Sequence, residues 1–192
     1  MSFLPDNQFS PEDRRAMLAL ARAAIVSALE NKPLTRAASE PSCLSLTQGV
    51  FVTLEVFGKL RGCIGVIEPR EPLRESIIHC AQSAAINDPR FSPLQREEVS
   101  GLEIEISVLF ELFPISLQQI QIGKHGLVVV TENHRGLLLP QVATEHKLSR
   151  EEFLEETCHK AGLPRDAWRA PQTKIYAFTC EIFREGSDAL SG

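Results

Sequence analysis

The chain has five cysteines, an odd number, and none of them are spaced as CxxC. Such a set fits a reducing cytoplasm better than a disulfide framework, so the expected compartment is cytoplasmic. Positive charge is also short: 20 Lys+Arg stand against 25 Asp+Glu, a formal net charge of −5. That balance argues against a broad basic surface, and no nucleic-acid partner is expected. Apolar runs fall short of the ~18 residues that a membrane span needs. The longest, around Ala16 to Leu29, is broken by Arg22, so no membrane partner is expected either. The opening residues, Met1 to Gln8, carry Pro5 and Asp6 and lack a charged-then-apolar leader pattern. The five histidines show no HxxxH or HxH pair, and the cysteines no CxxxCxxC run. Neither a closed zinc site nor an iron–sulfur cluster is therefore expected, and the residues name no cofactor. What remains is a chain of 192 residues, 43% hydrophobic and 23% charged, of ordinary globular composition.

The elements follow a repeating order. Ser10, Pro11 and Asp13 form a helix start, and Met17, Leu20, Ala21, Ala24 and Ala28 recur at helical spacing. This predicts an N-terminal helix over about 10–31, which Pro33 keeps from continuing. Gly49 to Ile67 is β-branched and aromatic, split by Gly58-Lys59, and reads as a hairpin. A helix follows from Pro72 to about Ile86, striped by Leu73, Ile77, Cys80, Ala81 and Ala84 and stopped by Asp88-Pro89. Leu102 to Phe113 alternates as a strand with one wet face. The second half repeats the plan: a hairpin around Glu132 to His134, a capping box at Ser149 to Glu152, and a helix to Ala161. Ile175 to Phe183 is the last strand, and the tail after Gly186 is expected to fray.

At a constant shift of 74 positions, Gly49 falls on Gly123 and Arg61-Gly62 on Arg135-Gly136. This predicts one domain over 1–192 holding two strand-strand-helix-strand pseudo-repeats, 49–113 and 123–186. The class is α+β with six main strands, and the first helix lies outside the repeat.

Leu60-Arg61-Gly62-Cys63-Ile64-Gly65 is the most distinctive run. Asp88-Pro89-Arg90-Phe91, Ile104 to Leu109, Gly123 to Leu127 and Gly136 to Ala143 accompany it. In these blocks the chain resembles the AMMECR-one domain family, whose bacterial members are called AmmeMemoRadiSam system protein A. The resemblance covers about Ala16 to Phe183 and departs at Lys147-Leu148, where many relatives have Trp-Asp. It implies an α+β fold whose two repeats build one curved, barrel-like sheet with flanking helices. It also implies association with Memo-type and radical SAM proteins, but no settled reaction.

On a regular strand Arg61, Cys63 and Gly65 share one face, with Arg61 and Cys63 about 7 Å apart. A guanidinium at that distance lowers a thiol's pKa, making Cys63 the candidate nucleophile or redox thiol. Gly62 and Gly65 admit a ligand or another backbone closely. A core cysteine and glycines that relieve crowding account for the same residues. Arg90 either pairs with Asp88 or grips a carboxylate or phosphate. Lys124 and His125, between Gly123 and Gly126, form either a plain turn or an anion-binding one. Glu55 and Glu105 are strand carboxylates that line a cleft or a solvated face. Cys80 and Cys158 fall on apolar helix stripes and Cys180 on a strand, all three expected in the core. His79 and His159 each follow a glutamate, Glu75 and Glu155, by one turn.

Two functions fit these residues. One is a ligand- or partner-binding module acting through the LRGCIG surface on a partner protein or small anionic ligand. The other is an enzyme using Cys63 on a small anionic substrate, with Arg61 and Arg90 holding it. The missing base and metal site favour the module.

Overall fold

The computed structural model describes residues 8–35 and 39–186. The first seven residues, read above for a leader, and the tail beyond Gly186 lie outside that range, as do residues 36–38. The helices are α1 (Pro11–Leu29), α2 (Leu73–Ile86), α3 (Pro140–Glu145) and α4 (Arg150–Lys160). The strands are β1 (Val50–Val56), β2 (Lys59–Val66), β3 (Leu102–Leu109), β4 (Phe113–Pro114), β5 (Gly126–Val130), β6 (Arg135–Leu138), β7 (Lys174–Phe178) and β8 (Cys180–Arg184).

Local chemistry sets most boundaries. Ser10 caps α1: its hydroxyl accepts the Asp13 N–H at 3.1 Å while the Asp13 carboxylate accepts the Ser10 N–H. Ser149 and Glu152 make the same reciprocal cap on α4. The first hairpin turns on Phe57-Gly58, one residue earlier than expected, with φ of +51° and +72°. Both are left-handed, as a two-residue turn between twisted strands requires. The long final strand expected over Ile175 to Phe183 is two strands, β7 and β8, interrupted at Thr179. The Thr179 carbonyl there accepts the Phe110 N–H rather than continuing a ladder.

The strands form two four-stranded sheets, ordered β2-β1-β3-β8 and β4-β7-β5-β6. This corrects the expectation of one curved, barrel-like sheet: among the described residues no barrel closes. The physical reason lies in β4, which is two residues long and ends in Pro114, a residue with no N–H to donate. The strand expected to run on to Phe113 stops at Leu109, and Phe113 and Pro114 pair instead with Ala177 and Tyr176 of β7. β1 pairs antiparallel with β2 and β3, β5 with β6 and β7, and β4 with β7.

The chain divides into two compact units, one holding residues up to Leu109 plus those from Glu181, the other Phe110–Cys180. In the first, β1 alternates strictly, burying Val50, Val52, Leu54 and Val56. Ile104 and Ile106 of β3 and Ile77, Cys80 and Ala81 of α2 complete that core, all fully buried. In the second, Leu127 and Val129 of β5 pack with Phe153, Leu154 and Cys158 of α4.

One glycine in each unit lets a helix end approach a strand. A Cβ on Gly62 of β2 would lie 2.1 Å from the Ala84 carbonyl oxygen of α2. A Cβ on Gly136 of β6 would lie 2.4 Å from the Ala161 nitrogen just past α4. Both obstacles are backbone and cannot rotate away. Gly62→Ala is therefore expected to lower unfolding stability by about 1–3 kcal/mol, measured by urea titration. An unchanged midpoint would show that α2 does not need this approach.

Candidate functional site

β2 is an edge strand, and an edge strand leaves a row of backbone groups without a ladder partner. Pairing with β1 is regular from Val50↔Val66 to Leu54↔Gly62, then shifts so that Glu55 pairs with Leu60. Arg61 is the extra residue in that bulge. The bulge sends its guanidinium to Glu98 by two hydrogen bonds, at 2.7 and 2.9 Å, with a third to the Ser92 carbonyl. Arg61 holds the Glu98 carboxyl down at about 2. Arg61 is thus spent on an ion pair, and the positive charge acting on the Cys63 thiol is that of Arg90.

At Cys63 two side chains occupy the open edge. The Cys63 N–H donates to Asp88 Oδ2 at 2.9 Å, and its carbonyl accepts from Arg90 Nη2 at 3.1 Å. These are the bonds a neighbouring strand would otherwise supply. Asp88 is 4% exposed and takes four hydrogen bonds, three of them from Arg90. Arg90 pairs with it through Nε at 3.0 Å and Nη2 at 2.7 Å. These bonds, chiefly those from Arg90, pull the Asp88 carboxyl from 3.8 to about 2. The Arg90 side chain is half exposed, and its Nη1 makes no hydrogen bond among the described residues. Pro89 and the N–H of Phe91, bonded back to the Asp88 carbonyl, hold this turn in place.

The Cys63 side chain emerges on the sheet face away from α2, since Gly62 beside it abuts the helix. Directly opposite Cys63 on β1 stands Thr53, whose hydroxyl donates to the sulfur at 3.2 Å. Opposite Thr53 on β3 stands Glu105. A thiol, a hydroxyl and a carboxylate therefore form one row across three strands. Arg184 of β8 reaches Glu55 at 2.7 Å, Glu105 at 3.7 Å and Glu103 at 3.9 Å on the same face. Burial pushes the thiol's pKa up; the Thr53 hydroxyl and Arg90 oppose this, while Asp88 and Glu105 add to it. The net direction is upward. This corrects the expectation of a thiol activated by Arg61: the bulge turns that guanidinium away, and desolvation dominates.

Gly65 is a packing residue, since a Cβ there would meet the Phe51 ring at 2.3 Å. Lys124 and His125 lie in the second unit, where both amides donate to the Gln121 carbonyl across a turn with Gly123 at φ +80°. His125 is 7% exposed, accepts the Gln121 N–H on Nδ1 and meets the Phe113 ring edge-on at 5.6 Å. Burial lowers its pKa, helped by Lys124. These contacts make it a turn anchor. Cys80 and Cys158 are fully buried, and Cys180 is half-buried. His159 approaches Glu156 at 3.9 Å rather than Glu155. Among the described residues no group of three or more His, Cys, Asp or Glu is placed to hold a metal. Nor is any described helix long and apolar enough to cross a membrane.

The sequence reading missed Thr53 and Glu98. Glu98 sits in a polar stretch with no motif, and Thr53 becomes visible only once the β1–β2 register is known.

A model of the AMMECR1 family matches residues 18–183, spanning both units and every block just described. The chain belongs to the AMMECR1 family. A protein of Methanothermobacter thermautotrophicus is 43% identical over 184 residues, covering 92% of this chain and 96% of that one. A protein of Aquifex aeolicus is 40% identical over 181 residues, covering 90% and 93%. The crystal structure of an uncharacterized protein from Pyrococcus horikoshii superposes with a TM-score of 0.89 at 41% identity, covering 94% of this chain and 95% of that one. These AMMECR1 relatives are themselves uncharacterised and carry the family and the fold but no reaction.

In this AMMECR1 chain the LRGCIG and DPRF segments meet at one point, the edge of β2. The depressed Asp88 pKa makes that meeting a stability term. It is fully present above the ordinary value of 3.8 and is lost as pH falls through about 2. Asp88→Asn is expected to cost about 2 kcal/mol at neutral pH, a gap that closes as acid protonates the wild-type carboxyl. Urea titrations across a pH series check this, and a gap independent of pH would contradict it.

Proposed function

We propose that this chain is a cytoplasmic binding module whose contact surface is the LRGCIG edge of β2 around Cys63. It takes a small anionic ligand or the anionic group of a partner protein. In keeping with the family resemblance, the partners are Memo-type and radical SAM proteins. The observation that carries this reading is Arg90: Asp88 grips one edge of its half-exposed guanidinium, Nη2 reaches the Cys63 carbonyl, and Nη1 makes no hydrogen bond among the described residues. A guanidinium immobilised in this way presents a charged donor at little entropic cost, which suits carboxylate or phosphate recognition. The alternative, an enzyme using Cys63 as nucleophile or redox thiol, needs a thiolate. Burial works against one, since it raises the thiol's pKa and leaves it protonated at neutral pH.

We further infer that the two halves, 49–113 and 123–186, are pseudo-repeats. Each carries a hairpin with Arg-Gly in its second strand, a glycine against a helix end, and a third strand beside the hairpin's first. Superposing Gly49–Leu109 on Gly123–Phe183 tests this: the two Arg-Gly pairs should coincide, and their landing on different elements would end the reading.

Native mass spectrometry of gently purified protein tests the binding role. A retained small anion is expected in the wild type and should be lost in Arg90→Gln. A variant that retains it equally, or a wild type that binds no carboxylate or phosphate compound offered at millimolar concentration, would overturn the assignment.

A further inference from the structure

The β1–β2 hairpin tip, where the LRGCIG run begins, carries two large apolar side chains that the fold leaves in water. Phe57 is 81% exposed and Leu60 44% exposed, with Gly58 and Lys59 exposed between them. Phe57 also holds a φ of +51°, a left-handed conformation that Asn, Asp or Gly adopts far more cheaply in such a turn. One residue thus combines a strained backbone with an unburied ring, and neither helps the chain to fold. Such costs persist where something besides stability requires the residue.

The bulge at Arg61 decides where Leu60 points. Leu60 and Cys63 are separated by an odd number of positions, so an unbroken strand would send them to opposite faces. The bulge reverses this: Leu60 stands opposite Glu55, as Cys63 stands opposite Thr53. Leu60 is therefore on the face away from α2, about 10 Å along the strand from Cys63. Phe57 continues the alternation of Thr53 and Glu55 on that face, and its N–H donates to the Gly101 carbonyl at 3.3 Å. Its ring lies across Gly101, where a Cβ would come within 2.6 Å of it. Lys59 makes no ion pair among the described residues. The carboxylates nearest the tip, Glu55 and Glu103, are drawn to Arg184 at 2.7 and 3.9 Å.

We propose that Phe57 and Leu60 are the apolar anchor by which the β2 edge docks on a partner protein, entering an apolar pocket with an acidic rim. This rests on the reading of the β2 edge as the contact surface and names the partner's chemistry. The two side chains expose on the order of 200 Å². A stable interface buries about 800 Å² on each partner, so they anchor a contact that continues along β2 toward Arg90. A second copy of this chain fits poorly, because a two-fold contact would set the Lys59 and Arg90 patch against itself. A pocket edged by Asp or Glu complements it.

The test places benzoylphenylalanine, which keeps the phenyl ring, at position 57 of the full chain and irradiates it in extract of its own cells. One protein adduct is expected, its joined residue lying in an apolar pocket edged by Asp or Glu. Excess unlabelled wild type should abolish that adduct, whereas Phe57→Asn should need about tenfold more, as the loss of an anchor predicts. Phe57→Asn should also unfold at the wild-type temperature or above, since Asn accepts the turn and no buried contact is lost. A lowered midpoint would show that the ring serves the fold and would overturn the proposal. So would adducts confined to lipid or to copies of this chain, no adduct at all, or a Phe57→Asn chain that competes as well as wild type. Arg90→Gln separates the two readings: if it competes as well as wild type while Phe57→Asn does not, the anchor stands and the anion site fails.

Discussion

The Asp88 carboxylate is almost wholly removed from water, and a charge in that position persists only if its oxygens are fully engaged. Here they are, by the Cys63 and Arg90 amides and by two arms of the Arg90 guanidinium. Much of the site follows from that one requirement. It ties the turn after α2 to the outer edge of β2, fixes Arg90 with one nitrogen turned outward, and holds the Cys63 backbone where its side chain faces Thr53. The turn can reach β2 only because Gly62 lets the end of α2 lie directly on the strand. The glycine and the aspartate thus serve one junction.

Placed in that junction, the LRGCIG run separates into supports and contacts. Arg61 is consumed by Glu98, Gly62 by the α2 backbone and Gly65 by the Phe51 ring. Cys63 alone projects onto the face with a polar partner on its sulfur. Burial outweighs the nearby guanidinium in setting its protonation, so the resting thiol is a poor nucleophile.

Much of the fold was legible because it rests on local rules. The caps at Ser10 and Ser149 and the stop at Asp88-Pro89 appear where spacing and chemistry place them, whereas β3 alternates only through Ile106, Ser107 being buried as well. The single barrel-like sheet was not borne out, because β4 is a two-residue strand ending in proline and β8 departs from β7 at one residue, Thr179. Neither event leaves a periodic trace. At the site, Cys63, Asp88 and Arg90 were legible as a set through their two motifs. The role assigned to Arg61 failed because a bulge reverses which way a strand residue points, and pattern alone does not reveal a bulge. Thr53 was illegible for the complementary reason, being a threonine in a β-branched strand whose partner is decided by register.

The central claim is that side chains, not a strand, close the edge of β2 at Cys63. Native-state hydrogen exchange of the Cys63 amide measures this directly. An edge-strand N–H open to water exchanges quickly, whereas one held by a buried carboxylate exchanges only when the turn opens. Protection comparable to that of amides in the central strand β1, and lost in Asp88→Asn, is the predicted result. A Cys63 amide that exchanges as fast as those of the Phe57-Gly58 turn in the wild type would contradict the account.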